Sequence, residues 1–188
     1  MKGMKELFWR CVVDLYNDIP MGLYEGLLSI FCLGGVGLLA LQGLKRGWRK
    51  VSGLLLIEFV FLIYSSTVIY RDFSSEQKHD FMPLWSYWAL QKEGNEYLIA
   101  DNILNVLVFL PVGLLLGLAF RRIKFWVVLL VGLCISSSIE MLQYVFKRGF
   151  AEVDDVIHNV LGCMIGYGIY ALVRLGYEKV SKRIVAVL

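Results

Sequence analysis

Histidine and closely spaced cysteine are scarce in this sequence. It has two histidines, His79 and His158, and four cysteines that are scattered without any C-x-x-C spacing. A structural zinc site needs four converging ligands, so we expect no metal and no cofactor. The cysteines lie in or beside apolar stretches, where buried free thiols are the usual state. The formal net charge of +3 is too small a basic excess to favour a nucleic-acid partner.

Long polar stretches are also missing. The chain is 58% hydrophobic, whereas soluble domains are usually about 45–50% apolar. The excess lies in blocks close to the ~20 residues with which a helix crosses ~30 Å of hydrocarbon, and the alternation of membrane β-strands is absent. The sequence therefore predicts an all-α, polytopic transmembrane helical bundle. Its five spans are predicted over residues 20–44, 51–70, 99–120, 125–146 and 153–175.

The regions on either side of this bundle are expected to differ in character. Residues 1–18 carry apolar side chains at helical spacing opposite polar ones, which predicts an amphipathic helix lying in the membrane interface. Residues 19–175 form the bundle, and 176–188 form a cytoplasmic tail. Because the start lacks the apolar core and cleavage site of a secretory signal, we expect the first span to be retained.

Lysine and arginine indicate an orientation in the membrane. The connections 45–50 and 121–124 are basic without any acidic residue, and the C-terminal segment is rich in lysine and arginine. The positive-inside rule places these segments in the cytoplasm, which predicts a multi-pass protein of the cell membrane with its C-terminus inside and its N-terminus outside. Lys2, Lys5 and Arg10 oppose that placement of the N-terminus.

Polar residues inside the predicted spans are the strongest indication of function, because such residues are costly at membrane depth. They fall near one end of three spans and share helix faces by their three- and four-residue spacing. We expect them to line an outward-facing polar cavity, with Arg148 as a countercharge; the alternative is a network that only holds helices together. The residues are Asp101, Asn105, Glu140, Gln143, Asp154, Asp155 and Asn159.

Two further features concern packing. Gly113 and Gly117, like Gly162 and Gly166, have the small-x-x-x-small spacing that favours close contact between membrane helices. The connection 71–98 is rich in aromatic residues, so we expect residues 83–90 to dip into the interface or pack over the bundle. A plain surface hairpin is the alternative.

Three sequence segments resemble motifs of the VanZ-like family. The first is a helix that contains asparagine, phenylalanine, proline and glycine. The second is a helix that contains glutamate and glutamine. The third is a segment that contains arginine, two aspartates, asparagine and glycine. The resemblance extends over about residues 51–175, which makes the first span an additional element. The matching positions are Asn105, Phe109, Pro111, Gly113, Glu140, Gln143, Arg148, Asp154, Asp155, Asn159 and Gly162.

The resemblance implies a membrane protein associated with lowered susceptibility to teicoplanin-type glycopeptide antibiotics in Gram-positive bacteria. Three functions are compatible with the residues. The cavity would bind a membrane lipid, a lipid-linked cell-wall precursor or a lipidated glycopeptide and so modulate antibiotic action at the cell envelope. Alternatively, the chain is an enzyme that uses Glu140 and Asp155 as acid and base on a lipid or precursor head group, or a small proton-coupled transporter. A homo-oligomer is compatible with each function.

Overall fold

A computed structural model describes residues 44–93, 97–120 and 122–187. The predicted interfacial helix and the first predicted span lie outside these residues, except for residue 44. The described part is almost entirely helical. Its elements are α1 (Leu44–Tyr64), which continues into a π-helical turn (Ser65–Ile69), β1 (His79–Asp80), α2 (Trp85–Glu93), α3 (Tyr97–Ala119), α4 (Phe125–Phe146), β2 (Ala151–Glu152) and α5 (Val153–Val187).

Four helical segments of the described chain are long and apolar enough to cross a membrane. They coincide with the second to fifth predicted spans, and they confirm an all-α, multi-pass membrane protein. Large apolar side chains such as Ile57, Met141 and Leu172 are exposed on their surfaces, as helices in contact with lipid require. The segments are Gly47–Ile69, Leu98–Ala119, Phe125–Phe146 and Val153–Lys179.

The last helix extends beyond the membrane-spanning length. α5 continues to Val187 and so includes most of the predicted tail. Arg174 Nε donates a hydrogen bond to Glu178 Oε1 at 2.9 Å, one turn further along. Such pairs four residues apart support a helix after its apolar stretch has ended.

α3 and α5 form the centre of the bundle, and their backbones approach closely. A Cβ atom on Gly113 would collide with the carbonyl oxygen of Cys163, and a Cβ on Gly166 would collide with that of Leu110. Gly162 faces a backbone carbonyl of α3 in the same way. These contacts confirm the predicted role of the glycines in helix packing, because only glycine permits this separation. α4 packs against α5, and α1 packs against α3.

The connection between α1 and α3 is fastened to the connection between α4 and α5. β1 pairs in parallel with β2, so that His79 lies opposite Ala151 and Asp80 opposite Glu152. α2 follows this pairing and contacts α3. The segment therefore packs over the bundle and is not a plain surface hairpin. We call this end, where α1 and α4 stop and α3 and α5 begin, the polar end of the bundle.

A polar cavity at one end of the bundle

A cavity of about 300 Å³ lies at the polar end, between the π-helical turn, α3, α4, β2 and α5. Six of the eight residues predicted to form a site line it, and they come from three different helices. α3 contributes two of them, α4 two and α5 two, because the polar positions of each helix occupy one face near this end. These residues are Asp101, Asn105, Glu140, Gln143, Asp155 and Asn159.

Two carboxylates of the cavity accept hydrogen bonds from neighbouring elements. Asn105 Nδ2 of α3 donates to Asp155 Oδ1 of α5 at 2.8 Å. The backbone N–H of Glu152 donates to Glu140 Oε2 at 2.9 Å. Glu140 is buried, whereas Asp155 is partly buried. Each bond links two segments of the wall and fixes a carboxylate in it.

Two amide side chains have a buried oxygen without a partner among the described residues. Gln143 Nε2 donates to the carbonyl oxygen of Thr67 at 3.1 Å, and its Oε1 is left without a bond. Since a carbonyl oxygen only accepts, this contact fixes which end of the Gln143 amide is nitrogen. Asn159 Nδ2 contacts Ser136 Oγ at 2.9 Å, and the Oδ1 of Asn159 likewise has no hydrogen-bond partner among the described residues. Buried polar atoms are rarely left unpaired, so both oxygens are candidates for contact with a ligand.

Asp154, which was predicted to line the cavity, is not among its lining residues. It is fully buried, and its carboxylate accepts hydrogen bonds from the Leu84 N–H, from the Ser86 N–H at 3.0 Å and from the Ser86 hydroxyl at 2.5 Å. The first amides of a helix have no partner within it, so Asp154 satisfies those at the start of α2. Asn102 Nδ2 adds a bond to Ser86 Oγ at 2.9 Å. Asp154 therefore fastens α2 to the bundle.

His158 strengthens this attachment. Its Nδ1 lies 2.6 Å from the carbonyl oxygen of Asp154 and must carry the hydrogen, because a carbonyl cannot donate. The Tyr87 hydroxyl lies 2.8 Å from Nε2 and donates to it when the ring is neutral. The histidine thus connects α5 to α2.

Arg148 does not supply the predicted countercharge. Its Nη1 donates to the carbonyl oxygens of Val68, Ile69 and Arg71, where α1 ends. The last carbonyls of a helix lack partners within it and attract a cation, which explains this position.

The basic residue that does line the cavity is Arg71, which the sequence analysis missed. Gly149 makes room for it. This glycine has a φ of +89°, and a Cβ on it would lie 2.8 Å from Arg71 Nε. Arg71 is the first charged residue after α1 and lies at the polar end. This position, directly after a membrane-spanning helix at the polar end, was the feature of the sequence that could have identified Arg71.

Glu152 is a second residue that the sequence analysis did not single out. It lines the cavity just before α5, and its Oε2 accepts a hydrogen bond from Trp85 Nε1 at 2.9 Å. Burial is the main cause that raises the pKa of Glu152 to about 8, and the negative charge of Asp155 is the next. Below that pH, this carboxyl group is mostly protonated and neutral.

Comparison with known proteins identifies the family of the chain. The profile described as VanZ/LLP1 matches residues 51–174. Protein VanZ of Enterococcus faecium is 36% identical over 72 residues, which cover 38% of this chain and 45% of that protein. The matched region thus spans less than half the length of this relative. No solved structure matches the chain. Since the profile covers more than half of the sequence, including the residues that line the cavity, the chain belongs to the VanZ/LLP1 family.

Proposed function

We propose that this VanZ-like membrane protein binds a lipid-linked or lipidated ligand through its polar cavity and modulates susceptibility to teicoplanin-type glycopeptide antibiotics. One observation carries the proposal. Carboxylates and amides from α3, α4 and α5 gather about one cavity at one end of a membrane bundle. Hydrogen bonds between membrane helices contribute only about 0.6 kcal/mol on average, which is a small return for so many costly polar groups. Ligand binding accounts for them better than helix packing does.

The orientation that fits this function places the polar end outside the cell. The turn between α3 and α4 lies at the opposite end of the bundle and carries Arg122 and Lys124. The positive-inside rule then assigns the α3–α4 turn and the end of α5 to the cytoplasm. In that orientation, the cavity faces the side on which cell-wall precursors and glycopeptides meet.

The size of the cavity limits what can enter it. Ligand pockets usually measure about 300–1,000 Å³, and this one, at about 300 Å³, is at the lower limit. A head group fits such a volume, whereas a whole glycopeptide does not. The hydrocarbon part of the ligand would remain in the bilayer, against the exposed apolar faces of the helices.

Susceptibility measurements test the proposal. The full chain, Glu140→Gln and Asp155→Asn are expressed in a susceptible Gram-positive host, with Met141→Leu as the control because Met141 is 67% exposed beside Glu140. We expect the wild type and the control to raise the inhibitory concentration of a teicoplanin-type glycopeptide, and the two cavity variants to lose most of that protection. The change should be smaller for a glycopeptide without an acyl chain.

Immunoblots of membrane fractions must show equal amounts of each protein. Full protection by both cavity variants at wild-type levels would contradict the role of the cavity. The membrane enzyme and the proton-coupled transporter stay predictions, for which turnover of labelled lipid and proton flux in liposomes are the respective measurements.

A further inference from the structure

The side-chain amide nitrogens and hydroxyls of the cavity wall already have partners within the protein. Each of its side-chain amide nitrogens and hydroxyls donates to, or contacts, an acceptor of the described chain. The donors concerned are Asn102, Asn105, Gln143 and Asn159 among the amides, and Ser66, Thr67 and Ser86 among the hydroxyls.

Acceptors, in contrast, are in excess. Gln143 and Asn159 are 3% and 4% exposed, and each has an amide oxygen without a hydrogen-bond partner in the described chain. Four carboxyl groups line the same cavity, and Arg71 is the one basic side chain among the described residues that do so. The carboxyl groups belong to Asp101, Glu140, Glu152 and Asp155. The wall thus favours an occupant with several N–H or O–H donors, and a positive charge on that occupant would stabilise the ionised form of nearby carboxyl groups.

The described residues contain no compact cluster of the usual metal-binding side chains. Within the described ranges, no three histidine, cysteine, aspartate or glutamate side chains are grouped closely enough to hold a metal ion. A sugar hydroxyl could donate to the amide oxygens but carries no positive charge to pair with an ionised carboxylate. An ammonium group has three diverging N–H donors and a positive charge, so it can bind both the amide oxygens and the carboxyl groups of the wall.

We propose that the cavity binds the primary ammonium of a zwitterionic phospholipid head group, with the adjoining phosphate at Arg71. This inference rests on the proposed binding of a lipid-linked ligand. The ammonium would lie against Glu140, Gln143 and Asp155, inside the bundle. Arg71 is exposed at the cavity, and its planar guanidinium offers paired donors to a phosphate. The wall then matches both charges of the head group.

Binding of defined lipids to the purified full chain tests the proposal. In detergent, the protein is titrated with short-chain phosphatidylethanolamine, with phosphatidylcholine, in which methyl groups replace the N–H donors, and with phosphatidylglycerol, which has no ammonium. We expect phosphatidylethanolamine to bind about tenfold more tightly than either, the loss expected when charged hydrogen bonds are removed. Equal affinities for the three lipids would overturn the ammonium assignment and leave lipid binding itself intact.

Variants locate the two parts of the head group. Glu140→Gln, which keeps an oxygen for the Glu152 N–H, and Gln143→Met should each weaken phosphatidylethanolamine binding about tenfold, whereas Met141→Leu should not change it. Arg71→Gln should weaken phosphatidylethanolamine and phosphatidylcholine by the same factor, because both carry the phosphate. Thermal unfolding identifies any variant that has lost its fold, and Glu140→Gln serves if Gln143→Met is unstable. Unchanged affinity in a folded Glu140→Gln protein would overturn the site.

Free phosphoethanolamine distinguishes a lipid from a soluble ligand. We expect it to bind more weakly than the lipid, because it lacks the chains that contact the bundle. Equal affinity would overturn the lipid source while supporting the ammonium site. The susceptibility assay is independent of these titrations: protection that is lost in Glu140→Gln without any ammonium preference in vitro would refute this inference and retain the proposed function.

Discussion

At the scale of single residues, Asp154 and Asp155 are adjacent in sequence but differ in role. Asp154 is fully buried and accepts three hydrogen bonds from Leu84 and Ser86. Asp155 lines the cavity, and among the described side chains it accepts a hydrogen bond from Asn105. Asp154→Ala should therefore destabilise the protein by about 2–4 kcal/mol, since it leaves buried donors unpaired. Thermal unfolding in detergent measures the difference.

Asp155→Asn is the matched control for that substitution. It keeps the size of the side chain and reduces the acidic charge of the cavity, so we expect a stability within about 1 kcal/mol of the wild type. Equal losses of stability in the two variants would mean that the neighbouring carboxylates do not divide structural and ligand-binding roles in this way.

Glu152 predicts a pH dependence of stability. The pKa of this carboxyl is raised from 4.5 to about 8 by burial and by the charges of Asp155, Asp154 and Asp101, against the lowering effect of the Trp85 N–H. Between these pH values, the folded protein retains a proton that the unfolded chain releases. The contribution of Glu152 to stability therefore falls as pH rises from about 4.5 to about 8, and it is constant above.

Glu152→Gln should remove this pH-dependent contribution to the stability of the protein. Because Glu152 is partly exposed, solvent screening limits its effect on the free energy of unfolding to about 1 kcal/mol. We therefore expect the unfolding temperatures of wild type and variant to diverge by about 2–4 °C as the pH rises through this range. Unfolding curves in matched buffers from pH 5 to pH 9 measure this divergence. Parallel curves for the two proteins would show that Glu152 does not titrate in this range.

Six of the eight predicted site residues line the cavity, whereas Arg148, which was predicted as its countercharge, lies elsewhere and Arg71 lines the cavity. Glu140, Gln143 and Asn159 were found because helical periodicity alone puts them on one face. The role of Arg148 depended on where its long side chain points, and the unpaired carbonyls at the end of α1 decide that. Arg71 lies against Gly149, where a Cβ atom would come within 2.8 Å of its Nε. Contacts between segments distant in sequence decide both positions, and periodicity contains no information about them.

At the scale of elements, the membrane-spanning helices were predictable, and packing of residues 83–90 over the bundle was one of the expected outcomes. The contacts that position α2 were not predictable. Length and hydropathy fixed the four described spans, because the bilayer imposes both. The position of α2 depends on Asp154, which follows it by about seventy residues in sequence. The π-helical turn after α1 likewise has no marker in the sequence. Local patterns therefore gave the bundle, while long-range hydrogen bonds gave the cover over its polar end.

The contact between α3 and α5 predicts different effects for two glycines of the same helix. A Cβ on Gly166 would collide with the Leu110 carbonyl, whereas a Cβ on Gly168 would have no atom within 4 Å. Gly166→Ala should push the helices apart and cost about 1–3 kcal/mol. Gly168→Ala should be neutral or stabilise α5 by up to about 1 kcal/mol, because alanine favours the helix.

Unfolding temperature in detergent compares these two variants with the wild type. Phosphatidylethanolamine binding provides a second measurement, because separation of α3 from α5 also moves Asn105 away from Asp155. Stable, fully binding Gly166→Ala protein would show that the helices tolerate a wider spacing than the backbone contact indicates.

At the scale of the whole molecule, we predict that the polar end faces the outside of the cell. The turn between α3 and α4 is basic, so the positive-inside rule places it in the cytoplasm and the polar end outside. The proposed function requires this orientation. Ser75 is exposed in the connection at the polar end, and Arg122 is exposed in the turn at the other. Single cysteines at these two positions, in a chain whose native cysteines have been replaced by serine or alanine, report the orientation. In intact cells, a membrane-impermeant maleimide should label Ser75→Cys within minutes and leave Arg122→Cys unlabelled until the membrane is permeabilised.

The reverse pattern would mean that the cavity opens to the cytoplasm, out of reach of extracellular glycopeptides. Labelling at both positions before permeabilisation would indicate damaged cells, which a cytoplasmic marker protein detects.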